Sequence, residues 1–387
     1  MDDEITQARK NRIKKVRKRR RSFFFVALAV VLIAVVIANT VTKTTFLDIG
    51  DFFGSVFCAS KSYPVALTGA MPTEVEQLSM AYAVLTDKEL LVYSNRGANL
   101  LNYTHGFISP LMAANGNRIA LYNVGGKDVN VFNRSKEIAK LKTDFTIISA
   151  DISDAGTLAV LTRSDKYVSQ LEVYENGKYD KLLTWYGSEG FPLFVRMQRG
   201  GARAAVVAVR SENGRLVSEV TAIDASSAKV LFSAKVNGLA EKLSYDSNGY
   251  ITLVTDEQTS VITTGGEVKY TYSYGDAPLL FAACDEGRSI ALCFGDNHQA
   301  GINRLVVLST SLKEQFLVET VGEVDDMYIS RSGVYVLGKG VVSEYTMAGK
   351  LKYTYEANGG SIRIVECGKL LTVLPDSIEK AKRITEE

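Results

Sequence analysis

Hydrophobic and polar positions along most of this chain fall into short runs of five or six residues, separated by turns rich in glycine, Asn and Asp. The runs are Ala81–Thr86, Arg118–Tyr122, Thr157–Thr162, Ala204–Val209, Tyr250–Thr255, Ser289–Phe294, Gly333–Leu337 and Lys369–Leu374. Each is rich in β-branched or aromatic residues and too brief for a buried helix, which predicts pleated, half-buried strands. Most follow a glycine (Gly116, Gly156, Gly201, Gly249, Gly287, Gly333, Gly368). These recur roughly every 35 to 50 residues, the period of propeller blades. Glycine supplies the positive φ that a tight hairpin turn needs.

A second set of turns, at 95–97, 176–178, 265–267 and 348–350, splits each unit further. The strand after it repeats almost literally as Lys269–Tyr272 and Lys352–Tyr355. Pro-Leu pairs at 110–111, 192–193 and 278–279 open new units, in keeping with proline's tolerance at the first residue of a strand. The pattern predicts four-stranded units, with strands a to d, at 72–106, 107–144, 145–187, 190–237, 238–276, 277–321 and 322–358, and a final one from 359. That last unit offers only three strands, Ser361–Glu366, Lys369–Leu374 and Ser377–Ile384, while Tyr63–Thr68 stands unassigned at the other end. The expected fold is therefore an all-β propeller of eight blades, with seven as the alternative, closed by pairing the first strand with the last blade. A pair of β-sandwiches explains the strands but not the period or the incomplete last unit.

Upstream of the repeats the pattern changes. Phe23 to Val41 carries no charge, and nineteen residues at about 1.5 Å each nearly match a bilayer's hydrocarbon thickness. Ten basic residues lie between Arg9 and Arg21, the densest being Arg17, Lys18, Arg19, Arg20 and Arg21, whereas the far flank has only Lys43 and Lys61. This asymmetry predicts one membrane-spanning helix with the amino terminus in the cytoplasm. A cleaved signal peptide is the rival reading, but the apolar run is longer than the usual h-region. The expected organisation is a basic cytoplasmic tail (1–22), a transmembrane helix (23–41), an amphipathic juxtamembrane linker (42–61) and an extracytoplasmic propeller (62–387). The 387 residues hold 45 Lys and Arg against 43 Asp and Glu. Without the basic tail the balance turns acidic, which argues against nucleic-acid binding.

In layout, residues 9 to 384 resemble the membrane-anchored bacterial β-propellers related in shape to WD-repeat and quinoprotein-like domains. More narrowly, the chain resembles a family of single-pass proteins of Gram-positive bacteria with a basic cytoplasmic stub and an extracytoplasmic propeller. It lacks the recurring Trp-Asp pairs of WD repeats, and Trp185 is its only Trp, where quinone-cofactor propellers carry one in each blade. The resemblance implies a fold and no particular activity.

Little in the sequence speaks for catalysis. The only histidines are His105 and His298, and no zinc, nucleophile-elbow or Walker-type motif occurs. Gly125-Gly126-Lys127-Asp128 reads as a turn, and His105 reads as structural at a blade crossover. Asp151, Asp154, Asp325 and Asp326 fall near strands or turns, with Asp154 as a turn cap. Cys284 and Cys293 read as buried thiols offset across a hairpin, and a Cys58–Cys367 bond near the ring closure is open. No cofactor and no metal site is expected.

Propellers bind partners where the d–a and b–c loops converge. Here that face gathers Trp185, Tyr186, Glu189, Arg210, Arg215, Asp256, Asp296 and His298, with aromatics and Arg as the usual anchors of interfaces. The expected function is a non-catalytic envelope module that binds or scaffolds a protein or a wall glycan, besides the membrane lipid around its anchor. The alternatives are an enzyme acting on an envelope glycan, which requires paired carboxylates on the channel axis, and a sensor signalling through its short tail.

Overall fold

The computed structural model describes residues 20–21, 23–26, 28–30, 33, 50–51, 58, 61–67, 71–285, 289–295, 302–321 and 323–384. The chain divides into two units, Met1–Gly50 and Asp51–Glu387. In the first, the described residues between Arg20 and Ile33 are helical and exposed. Among the described residues no helix is long and apolar enough to cross a membrane. Arg17, Lys18, Arg19, most of the expected span 23–41 and most of the linker 42–61 lie outside them.

The second unit is a ring of eight antiparallel sheets, each a blade. Seven blades take four consecutive strands, at 72–104, 110–142, 147–187, 191–237, 240–273, 279–321 and 326–356, within the expected boundaries. The eighth uses three strands between 363 and 380, and its outer strand comes from Val65–Ala66. Val65 pairs with Ile378 and Ala66 with Ser377. The count of eight and the closure by the first strand are both borne out.

Eight apolar cores explain why the ring holds without a tryptophan in every blade: one lies between each pair of neighbouring blades. The closing junction, blade 8 against blade 1, packs Leu67, Tyr82, Val84, Val365, Leu371 and Ile378 together. Because every blade is covered on both faces, the b strands are not half-buried as the sequence pattern suggested. Ala81–Thr86 is buried at every position, as is Leu158–Thr162. Alternation survives on the outer strands, such as Asn99–Thr104, where only one side is covered.

Two further expectations are corrected. The last stretch, Ser377–Ile384, is two strands. Ser377–Lys380 belongs to blade 8, and Lys382–Arg383 crosses to the outer edge of blade 7, opposite Tyr355 and Glu356, with Ala381 buried at the crossing. Gly333 does not have a positive φ. It is needed there because a Cβ would lie 2.2 Å from the carbonyl oxygen of Tyr345. None of the four cysteines is in a disulfide, so no Cys58–Cys367 bond exists. Cys284 pairs with Ile290 and Cys293 with Phe281, which confirms their offset across the hairpin.

Among the described residues, the face of a–b and c–d turns carries a contact from upstream. Asp51 is buried there, taking Arg134 Nε at 2.7 Å and the Ser135 hydroxyl at 2.8 Å. Arg134 Nη1 in turn donates to Ser79 O at 2.7 Å. Arg134, held by Asp51, thus joins the c–d turn of blade 2 to the a–b turn of blade 1.

Candidate functional site

The inner strands of the blades face the central channel, which encloses a cavity of about 510 Å3. Its wall brings together Glu74 and Glu76 of blade 1, Asp151 of blade 3, Arg196 of blade 4, and Lys242 and Tyr245 of blade 5. Two of these acids also latch neighbouring blades. Glu74 accepts the Met112 N–H at 2.8 Å, and Asp151 accepts the Met197 N–H at 2.6 Å. Asp326 does the same at the junction of blades 7 and 8, accepting the Ile364 N–H at 2.8 Å. In each case a carboxylate of one inner strand ties the backbone of the next.

Burial pushes the carboxyls of Glu74, Asp151 and Asp326 above the usual range. The latching N–H groups pull back on all three, as do Arg196 beside Asp151 and Arg363 beside Asp326. Glu76 is raised furthest, to about 7, by burial first, with Lys242 opposing and Glu74 adding. Water reaches its side chain through the channel while protein surrounds it on all sides. Cys284 lines the same wall, but burial pushes its thiol up, away from the reactive thiolate.

None of these channel residues stands out as a site in the sequence, where Asp151 and Asp326 merely fall near strands or turns. Three carboxylates, those of Glu74, Glu76 and Asp151, line the channel wall. However, Glu74 and Asp151 each commit an oxygen to backbone N–H groups, which leaves Glu76 as the uncommitted member. The available signal was a single acid embedded in an apolar inner-strand run, as in Ser149–Ile152.

The residues expected on the loop face are partly assembled. Trp185 packs against the core between blades 3 and 4. It also lines a groove of about 250 Å3 with Ser169, Glu189, Glu219, Thr221 and Ser233. Tyr186 is 47% exposed and stacks on Tyr167, with ring centroids 4.7 Å apart. Arg210 pairs with Glu189 at 2.7 Å, Glu212 at 2.6 Å and Glu219 at 3.1 Å. Arg215 sits opposite Glu212 at the tip of the long hairpin of blade 4.

Asp256 serves a different end. It accepts the Leu239 N–H at 2.7 Å and so ties the b–c turn of blade 5 to the loop entering that blade. Asp296 and His298 lie outside the described residues. His105 is buried, with Nε2 3.2 Å from Thr86 O and Nδ1 accepting the Phe107 N–H at 3.3 Å, an arrangement that the Nε2–H tautomer satisfies. Its role is structural, as expected. Gly125-Gly126 is a turn between two strands of blade 2. Asp154 accepts Arg199 Nε and the Gly200 N–H, so it bridges two a–b turns rather than capping one. Among the described residues no group of His, Cys, Asp or Glu is placed to hold a metal ion.

Residues 65–382 match the model of a family of unknown function, DUF5711. The chain belongs to that family. No curated protein matches its sequence. Among solved structures, this DUF5711 chain is similar to Sqt1 of Saccharomyces cerevisiae, with 11% identity, a TM-score of 0.61 and coverage of 85% of this chain and 100% of that one. It is also similar to hydrazine synthase of Kuenenia stuttgartiensis, with 16% identity, a TM-score of 0.50 and coverage of 80% and 97%. At such identities the likeness shows the propeller fold alone.

Proposed function

We propose that this DUF5711 protein is a membrane-tethered, non-catalytic binding module of the cell envelope whose propeller holds a wall glycan, or a protein carrying one, on its d–a and b–c loop face. The tether is the uncharged stretch 23–41, oriented by Arg17 to Arg21. The observation that carries the reading is the groove between blades 3 and 4. An indole, four hydroxyls and two carboxylates line it, and Tyr186, next to Trp185 on the strand, adds the flat exposed surface of its stack with Tyr167. Pyranose rings present hydroxyls for the former and apolar C–H faces for the latter. A protein partner has fewer reasons to match so many small hydroxyl groups, although Arg210 and the aromatics also suit one.

The test uses the full chain in detergent, sedimented with purified cell-wall sacculi. The protein is expected in the pellet, and Trp185→Ala and Tyr186→Ala are each expected to weaken retention about tenfold, the size of one lost stacking contact of about 1.4 kcal/mol. Retention in the supernatant, or variants that pellet like the parent, would overturn the glycan reading.

A further inference from the structure

The fold leaves part of the channel's charge unused. Glu76 has no hydrogen-bond or ion-pair partner among the described residues, while Lys242 and Arg196 act on it from blades 5 and 4 and Glu74 and Asp151 from blades 1 and 3. No ion pair within 4.0 Å joins these acids to these bases among the described residues, so opposite charges face one another across open space. Among the described residues Arg196 hydrogen-bonds only to its neighbour's carbonyl, Val195 O at 3.2 Å, with its guanidinium over the Phe194 ring, and Lys242 to Ala282 O at 3.2 Å. Guanidinium and ammonium groups have more donors than these single bonds employ. A second, independent feature lies in the same wall. Tyr245 is 8% exposed, and its hydroxyl has no hydrogen-bond partner among the described residues. Buried polar groups are rarely left so unless something else satisfies them.

Charge sign narrows the occupant. A simple anion in this space meets three carboxylates, and a simple cation meets Arg196 and Lys242. A molecule carrying both signs satisfies both walls, and a cavity of about 510 Å3 is the size of small-ligand sites. We propose that the channel binds a small zwitterion of the amino-acid or dipeptide class, its ammonium group against Glu76 and its carboxylate against Arg196 and Lys242. This site is built from inner strands and is separate from the groove beside Trp185, so either can fail without the other.

The charged form of Glu76 is the one that holds an ammonium. Its carboxyl titrates near 7 under the combined influence of burial, Lys242, Glu74, Arg196 and Asp151. Affinity is therefore full at pH 8 and falls about tenfold by pH 6, in proportion to the competent fraction.

The measurement is isothermal titration calorimetry of the full chain in detergent at pH 8. The probes are the twenty free amino acids and L-alanyl-L-alanine, with the amino-acetylated and carboxy-amidated form of each binder. At least one zwitterion is expected to bind at one site per chain, and both blocked forms are expected to bind at least tenfold more weakly. Glu76→Gln should weaken binding about tenfold and flatten its pH dependence, and Lys242→Met should weaken the carboxylate end as much while keeping a pH dependence whose midpoint moves up, because Lys242 no longer holds the Glu76 carboxyl down. Trp185→Ala should leave the titration unchanged. No heat from any probe at millimolar concentration, blocked forms that bind equally well, or a Glu76→Gln protein that binds as the parent does would each overturn the proposal.

Discussion

Glu172 and Glu344 hold equivalent places in blades 3 and 7, and the sequence repeats the device that keeps them there. Each is almost wholly buried on a c strand. Glu172 takes Lys181 Nζ at 2.5 Å, the Tyr174 hydroxyl at 2.6 Å and Gln170 Nε2 at 2.8 Å. Glu344 takes Lys352 Nζ and the Tyr355 hydroxyl, both at 2.6 Å. A carboxylate so deep is tolerable only because charge-assisted bonds surround it. Burial and the adjacent carboxylate push both phenols up, so they remain donors at any physiological pH. Glu172→Ala strands the Tyr174 hydroxyl and Gln170 while Lys181 swings to solvent. The expected loss is about 3 kcal/mol in chemical denaturation, and Glu172→Gln should recover part of it by retaining an acceptor.

Single strands decide closure. The outer strand Val65–Ala66 makes few backbone pairs, yet Leu67 beside it is buried in the core between blades 8 and 1. Gly97, at φ +77°, lies close under it, where a Cβ would sit 3.1 Å from Lys61 O and 3.3 Å from Val65 Cγ2. Leu67→Ala should therefore destabilise the whole ring by about 3 kcal/mol, read as a lower denaturation midpoint, rather than merely fray one end.

The blades were legible in sequence because each b strand, covered on both faces, must be a continuous apolar run, and because most a–b turns carry a glycine, with Met80 at positive φ in its place in blade 1. The closure was legible for a different reason: the last unit lacked a strand. Lys382–Arg383 left no such mark, since two residues have no period. Trp185, Tyr186, Glu189 and Arg210 could be found from loop chemistry. Glu76 and Lys242 could not, because they are 166 positions apart and only ring geometry makes them neighbours.

For the molecule as a whole, topology is the property most open to experiment. In the topology proposed above, with Arg17 to Arg21 inside, the propeller and Glu387 would lie outside the cell. Alkaline phosphatase fused after Glu387 is then expected to be active in intact cells, and a fluorescent protein that matures only in the cytoplasm is expected to be dark at the same position. The reverse pattern would place the tail outside and remove the envelope from the proposed function.

Asp51 has a mechanical meaning in such an arrangement. A pull transmitted along the chain from its amino-terminal side arrives at residue 51 before residue 65. The first resistance it meets is the buried carboxylate–guanidinium pair with Arg134, itself seated on blades 1 and 2. Tension is passed there into the body of the ring, and the two-residue seam between Val65–Ala66 and blade 8 is kept slack.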